Sequence, residues 1–379
     1  INDLCKSLID NGHDVTVITG KPNYPIGKFY NGYGFFSKIK GDYYGATVYR
    51  LPIFPRGNGS GFKLALNYIS FAVFGSIFAL FYRKKFNFSF VFAVSPIISA
   101  FPAIIHKIIH NTKLYLWVLD LWPESVTVGN RIKSKPILKV LNLVVKFIYR
   151  SSDRIYISSN FMKNSIKKYE VKSSRFNIKY FPNWIKEAST NNKNFSELIP
   201  KGFIIMLAGN IGASIDYLNI INAAVELEDY DEIKFLILGS GSKESSFKED
   251  VIELGLEEKF VFLGRYPPED MPSFYIHADL MLITLSDNEL YSFTVPEKLQ
   301  SYMAMKKAII GMVNGETNQI ITKSLSGRSV NSGDYISLSK SIIDLYEMTK
   351  NERKAMGESG FKYALKHFDL SKNINTLLN

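Results

Sequence analysis

Residues 203–208 (FIIMLA) are six consecutive apolar residues that run into Gly209-Asn210-Ile211-Gly212 and then into a helical pattern over residues 215–227. A short apolar run without a polar face, closed by a glycine turn, reads as a strand covered on both sides. The same unit recurs at residues 234–238 (KFLIL), 260–263, 279–284 (DLMLIT) and 308–311, with helical stretches between them. An earlier series precedes it, with strand-like runs at residues 14–19, 46–51, 88–94, 114–119 (LYLWVL), 154–158 and around 178–180. Two successive β-α series, each needing helices on both faces of a parallel sheet, predict an α/β chain with two doubly wound domains. The cleft between such domains is the default place for a ligand.

At 379 residues the chain exceeds a typical single core, which fits that division. The single cysteine, Cys5, leaves no internal disulfide or thiolate metal site and suits a reducing compartment. Five scattered histidines, none in an H-x-x-x-H pair with a nearby carboxylate, carry no metal signature. The net charge of +11 attracts polyanions, and nucleic acid and an anionic membrane surface are the usual ones; a Lys-rich solvated surface explains it equally well. Without a helix-turn-helix cue, zinc finger or RNP-like aromatic motif, nucleic acid is not expected as a partner. The chain opens inside an amphipathic helix, with Ile1, Leu4, Cys5 and Leu8 on one face and Asn11-Gly12 closing it, so further chain is expected to precede it.

Four stretches bear on function. Residues 64–82 are apolar, flanked by Lys63 and Arg83-Lys84-Lys85, and read as a buried domain helix or a helix lying in a membrane interface; a true span would split a domain. Asp120 and Glu124 follow the strand at residues 114–119, at the carboxyl edge where open α/β sheets bind ligands; alternatively they cap a turn and start a helix. The stretch Thr294-Val295-Pro296-Glu297-Lys298 turns from loop to helix with Pro296 expected at the first helical position. Such an end offers free N–H groups and a positive dipole to a phosphate, and Lys298 adds a full charge. Finally, Gly239-Ser240-Gly241 lacks the third glycine of a dinucleotide fingerprint, with its helix expected only after a delay, and Gly209-Asn210-Ile211-Gly212 lacks a Walker lysine; both read as plain turns.

Together these motifs resemble the retaining nucleotide-sugar glycosyltransferases of family 4, which have the GT-B fold. Within that family the likeness is to bacterial O-antigen and capsule transferases, including those for N-acetylfucosamine. The residues that carry it are Gly20-Lys21-Pro22-Asn23-Tyr24-Pro25 with Gly27, Ser95-Pro96, residues 117–125 (WVLDLWPES), Ala208 to Gly212, Phe262-Leu263-Gly264-Arg265, and Val295-Pro296-Glu297-Lys298 through Met303-Ala304. The resemblance implies two Rossmann-like domains facing a central cleft: an acceptor-binding domain at residues 1–183, a nucleotide-sugar-binding domain at 184–363, and a C-terminal helix at 364–379 returning toward the first. It places the donor diphosphate near Gly209, Asn210 and Gly212 and at the Pro296 helix, the base near Gly264-Arg265, and the sugar near residues 288–295. Donor contacts are then expected from Arg265, Glu289, Thr294, Val295, Glu297, Lys298 and Ser301, with Asp120 and Glu124 as catalytic candidates.

The chain departs from the family in three places. The paired glutamates, seven residues apart, fall here on Phe293 and Ser301; Glu289 and Glu297 keep the spacing one turn earlier, and Glu297 lies within reach of a ribose. Asn210 and the uncharged residues 213–215 replace the usual Arg and Lys. The family's first strand is expected before Ile1.

The resulting expectation is a metal- and cofactor-independent transferase that moves an N-acetylated deoxyhexosamine from a UDP-sugar to a polyprenyl-diphosphate-linked saccharide. Its site would be peripheral, on the inner face of the bacterial cytoplasmic membrane, and a lipid acceptor would explain the basic charge, the aromatic excess and the apolar segment together. A UDP-sugar 2-epimerase of the same fold and a non-catalytic membrane scaffold are the alternatives.

Overall fold

A computed structural model of the chain describes residues 1–127, 132, 134–171, 175–186 and 193–379. The chain divides into two units, Ile1–Phe181 with Ser371–Asn379, and Pro182–Leu370.

The first unit contains α1 (Asn2–Asp10), β1 (Thr16–Gly20), β2 (Lys40–Tyr43), β3 (Ala46–Leu51), α2 (Gly61–Phe81), β4 (Phe88–Ala93), α3 (Phe101–His110), β5 (Lys113–Val118), α4 (Glu124–Thr127), α5 (Lys135–Ser151), β6 (Arg154–Ile157), α6 (Met162–Lys167) and β7 (Ile178–Tyr180). Its strands form two sheets, ordered β1-β3-β2 and β4-β5-β6-β7. All pairings are parallel except β2 with β3, a hairpin turned by Tyr44 and Gly45 at φ 49° and 85°. The short, half-exposed KGDY run of β2 has too little apolar alternation to be legible as a strand.

Aromatic side chains fill the second sheet. Phe90, Trp117, Tyr156 and Phe181 pack ring to ring, and the Trp117 indole N–H donates to the Phe181 carbonyl at 2.9 Å. Part of the aromatic excess is therefore used in this core.

The glycine- and proline-rich loop after β1 is built around Lys21. Its buried ammonium donates to the carbonyls of Gly34, Phe35 and Ser37 at 2.6, 2.7 and 2.8 Å. This lysine holds two loop segments together, and burial lowers its pKa.

The apolar segment expected at residues 64–82 is helix α2, long and apolar enough by length and composition to cross a membrane, and only partly buried. Both its ends feed strands of the same unit, β3 and β4. Only one face packs, and 28% of its most apolar window is buried. His106 and His110, a helical turn apart on α3, meet the carbonyls of Lys84 and Tyr82 just beyond its end at 3.0 and 2.8 Å.

The second unit contains β8 (Phe203–Ala208), α7 (Tyr217–Val225), β9 (Ile233–Leu238), α8 (Glu244–Glu253), β10 (Phe260–Gly264), α9 (Met271–Tyr275), β11 (Leu280–Thr284), α10 (Glu289–Ser292), α11 (Glu297–Ala304), β12 (Ala308–Met312), α12 (Gly315–Lys323), β13 (Gly327–Val330), α13 (Tyr335–Glu347) and α14 (Lys350–His367). Six parallel strands run in the order β10-β9-β8-β11-β12-β13. The chain starts at β8, builds outward to β10, then returns to the other side of β8, so the topological switch lies between β8 and β11. Alternate residues of β8 enter the two cores: Phe203, Ile205 and Leu207 on one face, Ile204, Met206 and Ala208 on the other. α15 (Leu370–Leu378) closes the chain on the first unit, where the Thr376 carbonyl accepts from the Tyr156 hydroxyl at 3.1 Å.

Candidate functional site

Two groups of side chains lie at the carboxyl edges of the sheets, one in each unit. In the second unit the turns after β8, β9 and β10 are stacked closely. Gly209 N donates to Leu238 O and Gly239 N to Gly264 O, at 2.8 and 2.7 Å. A Cβ on Gly239 would stand 1.8 Å from the Gly209 carbonyl oxygen, and one on Gly241 would stand 2.3 Å from that of Ile211. These glycines exist because neighbouring backbones touch, at φ 147° for Gly239 and 123° for Gly209. They are more than plain turns. The helix after Gly241 also follows at once, at Glu244, because Ser242 and Lys243 suffice for the turn.

Helix α11 is tied to the same edge. The Tyr302 hydroxyl accepts from Ala208 N at 3.2 Å. Lys298, one helical turn earlier, then comes over the β8 turn, with its ammonium 3.5 Å from where a Cβ of Gly209 would be. The Lys298 side chain is half-buried, it has no hydrogen bond or ion pair among the described residues, and desolvation brings its pKa down to about 8. Pro296 is the N-cap of α11 (φ −69°, ψ 138°) and not its first helical residue, because extended backbone persists through it; no side chain caps the helix. An uncapped helix end beside a desolvated ammonium is suited to an anion.

The remaining expected donor residues spread around this edge. Asn210 covers Gly212 and Gly241, its amide nitrogen 2.5 Å from a Cβ on the first and its oxygen 2.9 Å from one on the second. Arg265 is exposed just past β10, next to the Gly239–Gly264 bond. Thr294 and Val295 lie in the loop leading to α11, which α12 fixes through the Thr317 hydroxyl donating to Thr294 O at 2.9 Å. Glu289 is exposed in the first turn of α10. Glu297 is largely exposed and paired with Lys186 at 2.9 Å. Ser301 uses its hydroxyl on the Glu297 carbonyl at 3.3 Å. Tyr302 and Thr317 shape this edge without having been expected there; the i, i+4 spacing of Lys298 and Tyr302 was the available signal for the first.

In the first unit Asp120 follows β5. The Ser95 hydroxyl bonds to its carboxylate and accepts from the Trp122 indole N–H at 3.0 Å. Desolvation outweighs that bond and raises the Asp120 pKa to about 6. Glu124 lies elsewhere: it is ion-paired with Lys168 and close to the buried Tyr149 and Tyr169, whose pKa values burial and its charge raise. The structure thus gives the two carboxylates different neighbours.

Known proteins match this chain in sequence and fold. Residues 189–363 match the family described as Glycosyl transferases group 1. The chain is 25% identical over 322 residues to an Escherichia coli K12 protein named for colanic acid biosynthesis, the glycosyl transferase WcaI, covering 80% of this chain and 76% of that one. Among solved structures, sucrose-phosphate synthase from Thermosynechococcus elongatus superposes with a TM-score of 0.75 at 14% identity, over 99% of this chain and 90% of that one. The Anabaena protein HepE, solved with UDP-glucose, superposes with a TM-score of 0.66 at 12% identity, over 97% and 98%. The fold is accordingly α/β of the GT-B class, with two Rossmann-like domains.

Proposed function

We propose that this protein is a retaining glycosyltransferase that carries a sugar from a UDP-sugar to a polyprenyl-diphosphate-linked saccharide during O-antigen or capsule assembly. The unpaired, desolvated Lys298 ammonium between Gly209 and the uncapped end of α11 carries this reading. A leaving nucleoside diphosphate needs its growing negative charge met in a site that does not have to reorganise. Lys298 and the first N–H groups of α11 meet that need, with the exposed Arg265 a second cation. The UDP and UDP-glucose bound by HepE support a uridine donor, and the name of WcaI supports a polysaccharide product. The family resemblance favours an N-acetylated deoxyhexosamine such as N-acetylfucosamine as the sugar, and retention at its anomeric carbon.

On the acceptor side Asp120 is the group fitted to take a hydroxyl proton: it ionises near pH 6 and Ser95 orients it. Glu124, held by Lys168, is read as ordering the loop after β5. The lipid-linked acceptor puts the protein on the inner face of the cytoplasmic membrane, and activity is expected to survive chelation by EDTA.

Calorimetric titration with UDP, GDP and ADP tests the donor half of this proposal, with Lys298→Ala as control. UDP binding that the substitution weakens agrees with it. A chain that binds none of the three nucleotides is not such a transferase, and a membrane scaffold becomes the better reading. Release of a free epimerised sugar without any acceptor would point to the 2-epimerase reaction instead.

A further inference from the structure

Helix α2 is built inside out. Its buried positions hold Asn67, Ser70, Ala72, Gly75 and Ala79, all small or polar. The Asn67 amide donates to the Phe54 carbonyl at 2.6 Å and Phe54 N donates to the Ser70 hydroxyl at 3.0 Å, while Gly75 lets Pro102 of α3 approach. Phe74 packs on Phe35 and Phe78 on Tyr49 and Tyr82, but six large apolar side chains point the other way. Phe62, Leu66, Ile69, Val73, Ile77 and Leu80 follow at steps of three or four residues along one exposed stripe, with Phe62 79%, Ile69 53% and Leu80 55% exposed. In water that arrangement is unfavourable, since burial of each such side chain is worth roughly 1.5–3 kcal/mol. A helix with an outward stripe of large apolar side chains suits surroundings that are themselves apolar.

A second stripe lies alongside. The strand order β4-β5-β6-β7 with right-handed crossovers puts α3 and α5 on one face of the sheet, and α2 packs next to α3. Phe101 of α3 stacks on Phe147 of α5 at 6.3 Å. On α5 the exposed apolar residues Ile137, Val140 and Leu143 alternate with the exposed lysines 135 and 139. Neither helix contains an acidic residue. Arg83 and Lys85, just past α2, are exposed and unpaired among the described residues, as are Lys135 and Lys139.

We propose that the outward faces of α2 and α5 form one docking surface for an anionic lipid bilayer. α2, about 31 Å long from its 21 residues, lies in the plane of the interface with its apolar stripe among the acyl chains. Arg83, Lys85, Lys135 and Lys139 then stand at headgroup level, where each cation attracts anionic lipid. The proposal deepens the membrane-bound acceptor reading and rests on it for its purpose, but its test does not depend on donor chemistry.

The full chain is floated with vesicles of phosphatidylcholine alone and of an equal phosphatidylcholine–phosphatidylglycerol mixture, over a range of salt. Binding is expected to the anionic vesicles and to weaken with salt. Ile69→Glu with Ile77→Glu, both outward-facing, is expected to weaken it by about a hundredfold. Lys135→Glu with Lys139→Glu, which leaves packing untouched, should cost about fivefold for each charge removed. Circular dichroism melting and UDP titration of each variant report folding and the donor site separately. A wild-type chain that stays with neither vesicle overturns the proposal, as do folded variants that float like the wild type. A solution dimer that the Ile69 and Ile77 substitutions split, without vesicle binding, assigns the face to a second copy of the chain and overturns it equally. Vesicle binding without UDP binding leaves this surface standing and sinks the transferase reading.

Discussion

The Lys298 ammonium stands 3.5 Å from the point that a Cβ on Gly209 would occupy, so a side chain from α11 covers a backbone turn 89 residues earlier in the chain. The absence of a side chain on Gly209 leaves that ammonium facing open backbone. This relationship governs the first two predictions.

Binding of UDP is expected to weaken as pH rises through about 8, where Lys298 loses its proton. The sign follows from desolvation, which lowers this lysine's pKa; a bound diphosphate restores the charged form and raises it. Binding near pH 8 should therefore take up a proton, seen as a dependence of the calorimetric heat on the ionisation enthalpy of the buffer. Lys298→Ala should remove the proton uptake and weaken binding by about ten- to a hundredfold.

Tyr302→Phe removes the hydroxyl that meets Ala208 and is expected to lower stability by about 1 kcal/mol. It should also weaken UDP binding through a shifted Lys298, although Tyr302 touches no ligand in this account. A double-mutant cycle with Lys298→Ala separates the two effects: the binding losses should be less than additive.

Gly239→Ala places a methyl group 1.8 Å from the Gly209 carbonyl oxygen at φ 147°. A loss on the order of 3 kcal/mol is expected from overpacking and backbone strain. Chemical denaturation measures it, and a variant within a few tenths of wild type would mean that the three turns are less tightly stacked than described.

Asp120 is a raised-pKa acid, about 6 folded against an ordinary value of 3.8. The native state holds the proton more tightly, so its stability contribution is greatest below pH 4 and falls as pH rises to about 6, then stays at the lower level. The difference is on the order of 2 kcal/mol for this partly buried group. Asp120→Asn is expected to melt higher than wild type at pH 7.5 and to lose that segment of the pH profile, while transfer activity drops. A lower melting temperature for the variant at pH 7.5 would show that the bond from Ser95 outweighs desolvation.

Lys21→Met leaves the carbonyls of Gly34, Phe35 and Ser37 without their shared donor. A loss of roughly 2–4 kcal/mol is expected, with UDP affinity unchanged in whatever fraction folds. Reduced affinity in folded protein would give Lys21 a role beyond holding the loop.

Much of this fold is legible in the chain because strand burial is a local property. Six apolar residues at 203–208 have no polar face to expose, so a two-sided cover and a parallel sheet follow from them alone. The glycines at 209, 239 and 264 likewise mark backbone at φ 123°, 147° and 74°, which side chains rarely adopt. Tertiary structure decided what the charged and outward-facing groups do, since their partners are distant in sequence and no periodicity encodes them. Lys21, Lys186 and Lys168 are indistinguishable as sequence, yet one binds three carbonyls, one takes Glu297 and one takes Glu124. In α2, an apolar pattern on every side does not say which face packs; the approach of α3 at Gly75 set that small-residue face inward and left the stripe from Phe62 to Leu80 outward.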